Sequence, residues 1–113
     1  MHEYSVVQAL IERVEAEASA RGATSVHKVR ISLGELAGVD PELLTTAYEL
    51  FRERTICADA PLEVQAVAAR WACPRCELSV SRGKTLVCDN CGGPARLLQG
   101  DELLLESIEL ELP

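Results

Sequence analysis

Two cysteine pairs constrain this chain more than any other feature. Cys73-Pro74-Arg75-Cys76 is followed, after an eleven-residue spacer, by Cys88-Asp89-Asn90-Cys91. Each pair puts two thiolates on one tight turn. Two such turns facing each other supply four sulfurs at about 2.3 Å from a tetrahedral ion. Gly92 and Gly93 come where the backbone must turn back, which glycine does without steric cost. The residue types favour zinc, and Cys73, Cys76, Cys88 and Cys91 would fill every position on it. Such a zinc is structural and has no place left for a substrate. A single iron in the same cage, as in a small electron carrier, is the competing occupant, and the spacing alone does not exclude it.

The rest of the composition sets bounds. A chain of 113 residues that is 48% hydrophobic suits one small domain plus a metal-held module. No apolar run approaches the roughly 20 residues needed to span a bilayer. The start Met1-His2-Glu3-Tyr4 lacks the basic-then-apolar pattern of a signal peptide, so no membrane association is expected. Five cysteines, four of them in metal spacing, fit a reducing compartment better than a disulfide framework, and the cytoplasm is the expected location. The net charge of −7 is unevenly spread: between residues 70 and 100, Arg70, Arg75, Arg82, Lys84 and Arg96 face only Glu77 and Asp89. The acidic remainder is a poor match for a phosphate backbone, and Trp71 is the one aromatic at the module's border for stacking on bases. A nucleic-acid-binding ribbon acting through Arg75, Arg82 and Lys84, or an adaptor with structural zinc alone, stands as the alternative reading.

Along the chain, Val7, Leu10, Ile11, Val14 and Ala18 recur at helical spacing over residues 4–21, and Gly22 is placed to cap that helix. Residues 26–33 alternate, with Val29, Ile31 and Leu33 on one face. His27 shares their parity but sits at the strand's start, where a structural role outweighs a ligand role. Asp40-Pro41-Glu42 opens a second helix by N-cap, first-turn proline and dipole-matched carboxylate. Its expected stripe is Leu43, Leu44, Ala47, Leu50 and Phe51, running to about Arg54. Cys57 has no partner spacing and reads as a small buried hydrophobe. Pro61 precedes a second strand, expected over 62–71. A third is expected over about 102–112, where a bulge near Glu106 or Ser107 restores the apolar face. The expected fold is α+β: a three-stranded antiparallel sheet covered by two helices, with a zinc-ribbon module inserted between the second and third strands. Residues 1–70 and 101–113 would form one domain and 71–100 the other.

No Ser-His-Asp or Cys-His arrangement and no phosphate-binding glycine loop is present. Glu35 and Asp40 could be imagined as an acid–base pair, but a turn residue and a helix cap account for them. The chain is therefore read as no enzyme. The N-terminus offers different chemistry. A terminal amine, the His2 imidazole and the Glu3 carboxylate lie within three residues, and the His2 peptide nitrogen can join them if deprotonated. Successive nitrogens of one short segment favour the square-planar geometry of Ni(II) or Cu(II). An ordinary frayed chain end is the alternative.

Taken together, several stretches resemble the HypA/HybF family of hydrogenase maturation nickel chaperones. They are Met1-His2-Glu3-Tyr4-Ser5, the run Val29-Arg30-Ile31-Ser32-Leu33-Gly34-Glu35-Leu36, Asp40, Tyr48-Glu49-Leu50-Phe51, both cysteine pairs, and Gly100-Asp101-Glu102-Leu103 through Ile108-Glu109-Leu110-Glu111. The resemblance implies a metallochaperone that carries Ni(II) as cargo and holds a structural zinc. It implies nickel ligation by the Met1 amine and His2, with Glu3 and Asp40 as nearby acidic groups, and zinc ligation by Cys73, Cys76, Cys88 and Cys91. It implies delivery to the large subunit of nickel-iron hydrogenase with a HypB-type GTPase, and to urease maturation proteins in some members. A monomer or weak homodimer is expected. Asp40 thus has two readings, helix cap and metal-facing carboxylate.

Overall fold

The computed structural model describes residues 2–80 and 85–113; the side chain of His2 also lies outside the description. Helix α1 spans His2–Ala20 and α2 spans Pro41–Phe51. The strands are β1 (Ser25–Gly34), β2 (Leu62–Val67), β3 (Arg70–Ala72), β4 (Ser79–Val80), β5 (Arg96–Gln99) and β6 (Leu103–Glu111). They form two three-stranded sheets, one ordered β2-β1-β6 and the other β4-β3-β5.

The α+β class and the two helices are as the pattern predicts. Val7, Leu10, Ile11, Val14 and Ala18 are all buried. Gly22 has φ +66, and Ala23 N donates to Ala18 O at 2.9 Å, closing the helix in a left-handed cap. The sheet itself differs from the expectation. It is mixed: β6 is antiparallel to β1, but β2 is parallel to it, and β2 and β6 never touch as neighbours. The physical reason is the helix between β1 and β2. A strand, helix and strand in succession make a crossover that returns the chain in the same direction. The expected second strand also divides. Ala68 and Ala69 break it, and Arg70–Ala72 joins the other sheet.

β1 and β6 keep one apolar face through two irregularities. The register passes from Val26↔Leu110 to Lys28↔Glu109, leaving His27 unpaired, and from Arg30↔Ser107 to Ile31↔Leu105, leaving Glu106 unpaired. The Glu106 bulge is where the pattern places it. The bulge at His27 resets the parity of β1: Val26 turns into the core and His27 turns out, where its Nε2 lies 2.8 Å from Glu111 Oε1. Val26, Val29, Ile31 and Leu33 then face Leu110, Ile108, Leu105 and Leu103 beneath the helices. The opposite face carries Lys28 and Arg30, which meet Glu63 at 3.2 and 2.7 Å. Lys28, then Arg30, hold the Glu63 carboxyl below its usual range. These pairs are exposed and set register more than stability.

Helix α2 corrects a second expectation. Its buried residues are Leu44, Ala47 and Tyr48, while Leu43, Leu50 and Phe51 are exposed, and it ends at Phe51 instead of Arg54. Tyr48 belongs inside because its hydroxyl has a partner: it donates to Ala60 O at 2.8 Å, and Arg52 Nη1 donates to the same oxygen. Burial is the first cause of the raised pKa of Tyr48. Cys57 is fully buried beside it, as the pattern predicts. Removing the Leu44 side chain is expected to lower the unfolding free energy by about 2–5 kcal/mol in a denaturant titration, whereas Leu43→Ala should change it by less than about 0.5 kcal/mol.

Candidate metal centres

The two cysteine turns are built alike. After each second cysteine the chain enters the left-handed region, at Glu77 (φ 58) and Gly92 (φ 72). In both turns that residue's N–H reaches back to the carbonyl of the first cysteine: Glu77 N to Cys73 O and Gly92 N to Cys88 O, each at 2.8 Å. β3 ends immediately before Cys73 and pairs with β4 and β5, which holds the first turn on a sheet. The bridge between Val87 and Pro94 frames the second. The cysteine spacing announces both turns; that Glu77 takes the role of Gly92 is not visible in it.

All four sulfurs lie within 4.8 Å of one another, and Cys73 Sγ is 3.5 Å from Cys91 Sγ. Thiolates at 2.3 Å from a tetrahedral ion stand about 3.8 Å apart, so the group is near ligating geometry. Every sulfur also has an N–H donor. Cys76 N serves Cys73 at 3.4 Å, Asn90 Nδ2 serves Cys76 at 3.3 Å, Asn90 N serves Cys88 at 3.4 Å and Gly93 N serves Cys91 at 3.4 Å. Donors aimed at sulfur stabilise the thiolate form that binds metal. Asn90 supplies two of the four, a role that the cysteine spacing does not assign to it. The Cys76 N–H is the leading influence that draws the Cys73 thiol down to about 7. At Cys76 the Asn90 amide lowers the pKa, but the sulfurs of Cys91, Cys73 and Cys88, together with burial, push it up to about 11. Sulfurs this close cannot all carry charge without a cation among them. The donor set therefore fits a divalent metal held by Cys73, Cys76, Cys88 and Cys91.

At the other end of the chain, Met1 and the imidazole of His2 lie outside the described residues, as do Arg82 and Lys84. Glu3 is described, in the first turn of α1. Its Oε2 accepts from Asp40 N at 3.4 Å. Asp40 Oδ1 accepts from Glu42 N at 2.9 Å and from Leu43 N at 3.1 Å, so the capping role of Asp40 is realised. Residues 37 positions apart are thus brought together at two helix starts. Nearby, Tyr4 and Phe51 meet edge to face with ring centroids 5.1 Å apart, fixing the first turn of α1 against α2.

Fold and site together define a small α+β metal-handling protein with a four-cysteine centre. A family described as hydrogenase/urease nickel incorporation metallochaperone, HypA, matches residues 1–110. The hydrogenase maturation factor HypA of Shewanella halifaxensis is 41% identical over 98% of both chains, and that of Aquifex aeolicus is 35% identical over 99% of both. The solution structure of the Ni metallochaperone HypA from Helicobacter pylori superposes with a TM-score of 0.75 at 30% identity, covering 98% of each chain. A second structure, of HypA protein, gives 0.78 at 32% identity, covering 97% of this chain and 96% of that one. The chain belongs to the HypA family of nickel metallochaperones for hydrogenase maturation, and by family it is a metal carrier and not an enzyme. No helix among the described residues is long and apolar enough to cross a membrane.

Two outcomes are expected of the cysteines. Cys73→Ser should abolish retention of the metal through purification, read by atomic emission. In metal-stripped native protein a thiol reagent should modify the exposed Cys91 readily and Cys57 only on unfolding, because burial both shields that thiol and raises its pKa.

Proposed function

We propose that this chain binds Ni(II) through the Met1 amine and His2, with Glu3 and Asp40 as the adjoining carboxylates, and delivers it during maturation of nickel-iron hydrogenase. The observation that carries the reading is the Glu3–Asp40 contact. It ties the start of α1 to the capped start of α2, so the residue after His2 is held at a defined place instead of fraying. Two helix N-termini in one place would by themselves repel a cation. Carboxylates at both starts, each accepting backbone N–H, offset that field. A chelate at the chain's end is open on one side, which suits a cargo that must leave by ligand exchange.

The four-cysteine centre holds zinc in this reading. Its four sulfurs saturate the ion, so the zinc fixes the module's fold and takes no part in the transfer. Residues 1–70 and 101–113 act as the nickel-holding domain and 71–100 as the zinc ribbon, which meets partners. The partners are a HypB-type GTPase and the hydrogenase large subunit, with urease maturation proteins as a further destination. The protein works in the cytoplasm, as a monomer or weak homodimer.

Isothermal titration of Ni(II) into untagged, zinc-loaded protein tests the assignment. His2→Ala should weaken nickel binding by at least about tenfold, the loss of one ligand from a small chelate. An N-terminal extension should weaken it comparably, because it removes the free amine. Undiminished affinity in both would place the nickel elsewhere.

A further inference from the structure

The four-cysteine module leaves the body and returns to it at the same end of the sheet, because β2 runs parallel to β1 and β6 antiparallel to it. β1 ends at Gly34, whose register partner on β2 is Val67, and β6 begins at Leu103 opposite Leu33. The outgoing linker, Ala68–Ala69, and the returning one, residues 100–102, therefore run on either side of the chain as it leaves β1. Glu35 is the residue that emerges between them.

It is bound to both ends of the outgoing linker. Glu35 N donates to Val67 O at 2.9 Å, and Glu35 Oε1 accepts from Ala69 N at 2.7 Å. One residue thus spans the two-residue gap between β2 and β3. Its neighbours hold the returning strand: Leu36 N donates to Gly100 O at 2.6 Å and Gly34 N to Glu102 O at 2.8 Å. The linkers are also tied to each other, since Gln99 Nε2 donates to Ala68 O at 3.0 Å. Glycine is required for this closeness. A Cβ on Gly34 would collide with the Gly100 carbonyl, and a Cβ on Gly100, which has φ +105, would come within 2.5 Å of Ala69 Cα. Ala69 is buried in the joint.

We infer that Glu35 is a positioning residue whose carboxylate, by accepting the Ala69 N–H, fixes the orientation of the four-cysteine module relative to the helix-covered sheet. The backbone contacts at the joint come with β1, β2 and β6 themselves. The Glu35 side chain adds a charged group that reaches across the outgoing linker to hold its far end. From Glu35 the chain needs only residues 36–39 to reach Asp40 and the contact with Glu3. The clasp thereby sets how the module stands with respect to the two helix starts. That this presents the module at a fixed place beside the cargo rests on the N-terminal nickel reading; the orientation itself does not.

The test uses the zinc-loaded full chain, with residual dipolar couplings of backbone amides in the two sheets as the readout. In the parent, one alignment tensor should fit both sheets. In Glu35→Ala the couplings of β3 and β5 should shrink by about twofold or more while those of β1 and β6 persist, and the Ala69 amide should exchange at least about tenfold faster. Glu35→Gln, which keeps a side-chain oxygen for Ala69 N–H, should restore most of both. A single tensor still fitting Glu35→Ala overturns the inference. So does a failure of glutamine to rescue, or a parallel loss of amide protection at Val29 and Ile31, which would mark an ordinary folding role. His2→Ala serves as the cross-check and should leave the couplings unchanged. If it also leaves nickel affinity unchanged, the nickel assignment fails and the clasp stands.

Discussion

β1 pairs along both edges, and four of its side chains carry the contact between sheet and helices. Val26, Val29, Ile31 and Leu33 are all buried and lie under α1, α2 and the apolar face of β6. Each such side chain contributes about 1.5–3 kcal/mol when taken fully out of water. Val29, Ile31 and Leu33 share a face by alternation; Val26 joins them only because the strand skips a residue at His27, and β6 keeps its leucines opposite them because it skips one at Glu106. Without the first bulge Val26 would point to solvent; without the second, Leu103 and Leu105 would. The register of β1 with β6 thus decides whether the body has a core, and the end of β1 decides where the cysteine module is attached.

Much of this was legible in the residues, and the failures have identifiable causes. α1 was readable because its five apolar positions fit one helical stripe with no competing assignment. α2 was less so, since Leu43, Leu50 and Phe51 are as apolar as the residues that are buried. Periodicity alone does not distinguish two overlapping stripes, and the hydrogen bond from Tyr48 to Ala60 decides between them. The parallel pairing of β1 with β2 was implicit in the order strand, helix, strand. It was obscured by the apparent hairpin around the cysteine module. That module needs no hairpin, because β3, β4 and β5 give it a sheet of its own. The parity of His27 was misleading for a local reason, as a bulge next to a strand's start leaves no mark in composition.

The two candidate sites differ in the same respect. The cysteine cage is local in sequence, so its spacing suffices to identify it. Its supporting donors, among them the backbone and side-chain N–H groups of Asn90, sit inside the same short turns. The Glu3–Asp40 contact joins two helix starts that only the tertiary fold brings together. The residues around position 3 do not by themselves indicate what will stand opposite; only the family resemblance names Glu3 and Asp40 together. The four sulfurs come from two short turns within one stretch of chain, while Glu3 and Asp40 come from two helix starts 37 positions apart.

β6 also lies at the edge of its sheet, with no strand among the described residues on its outer side. An open edge of nine residues, rich in leucine, is the kind of surface on which identical chains stack into fibrils. Here it is broken near its middle by the unpaired Glu106 and carries Glu109 and Glu111 beyond that point. A second copy aligned against it would bring like charges face to face and meet a ladder out of step. The irregularity that turns Leu103 and Leu105 into the core therefore also interrupts the regular ladder that an open sheet edge offers for pairing.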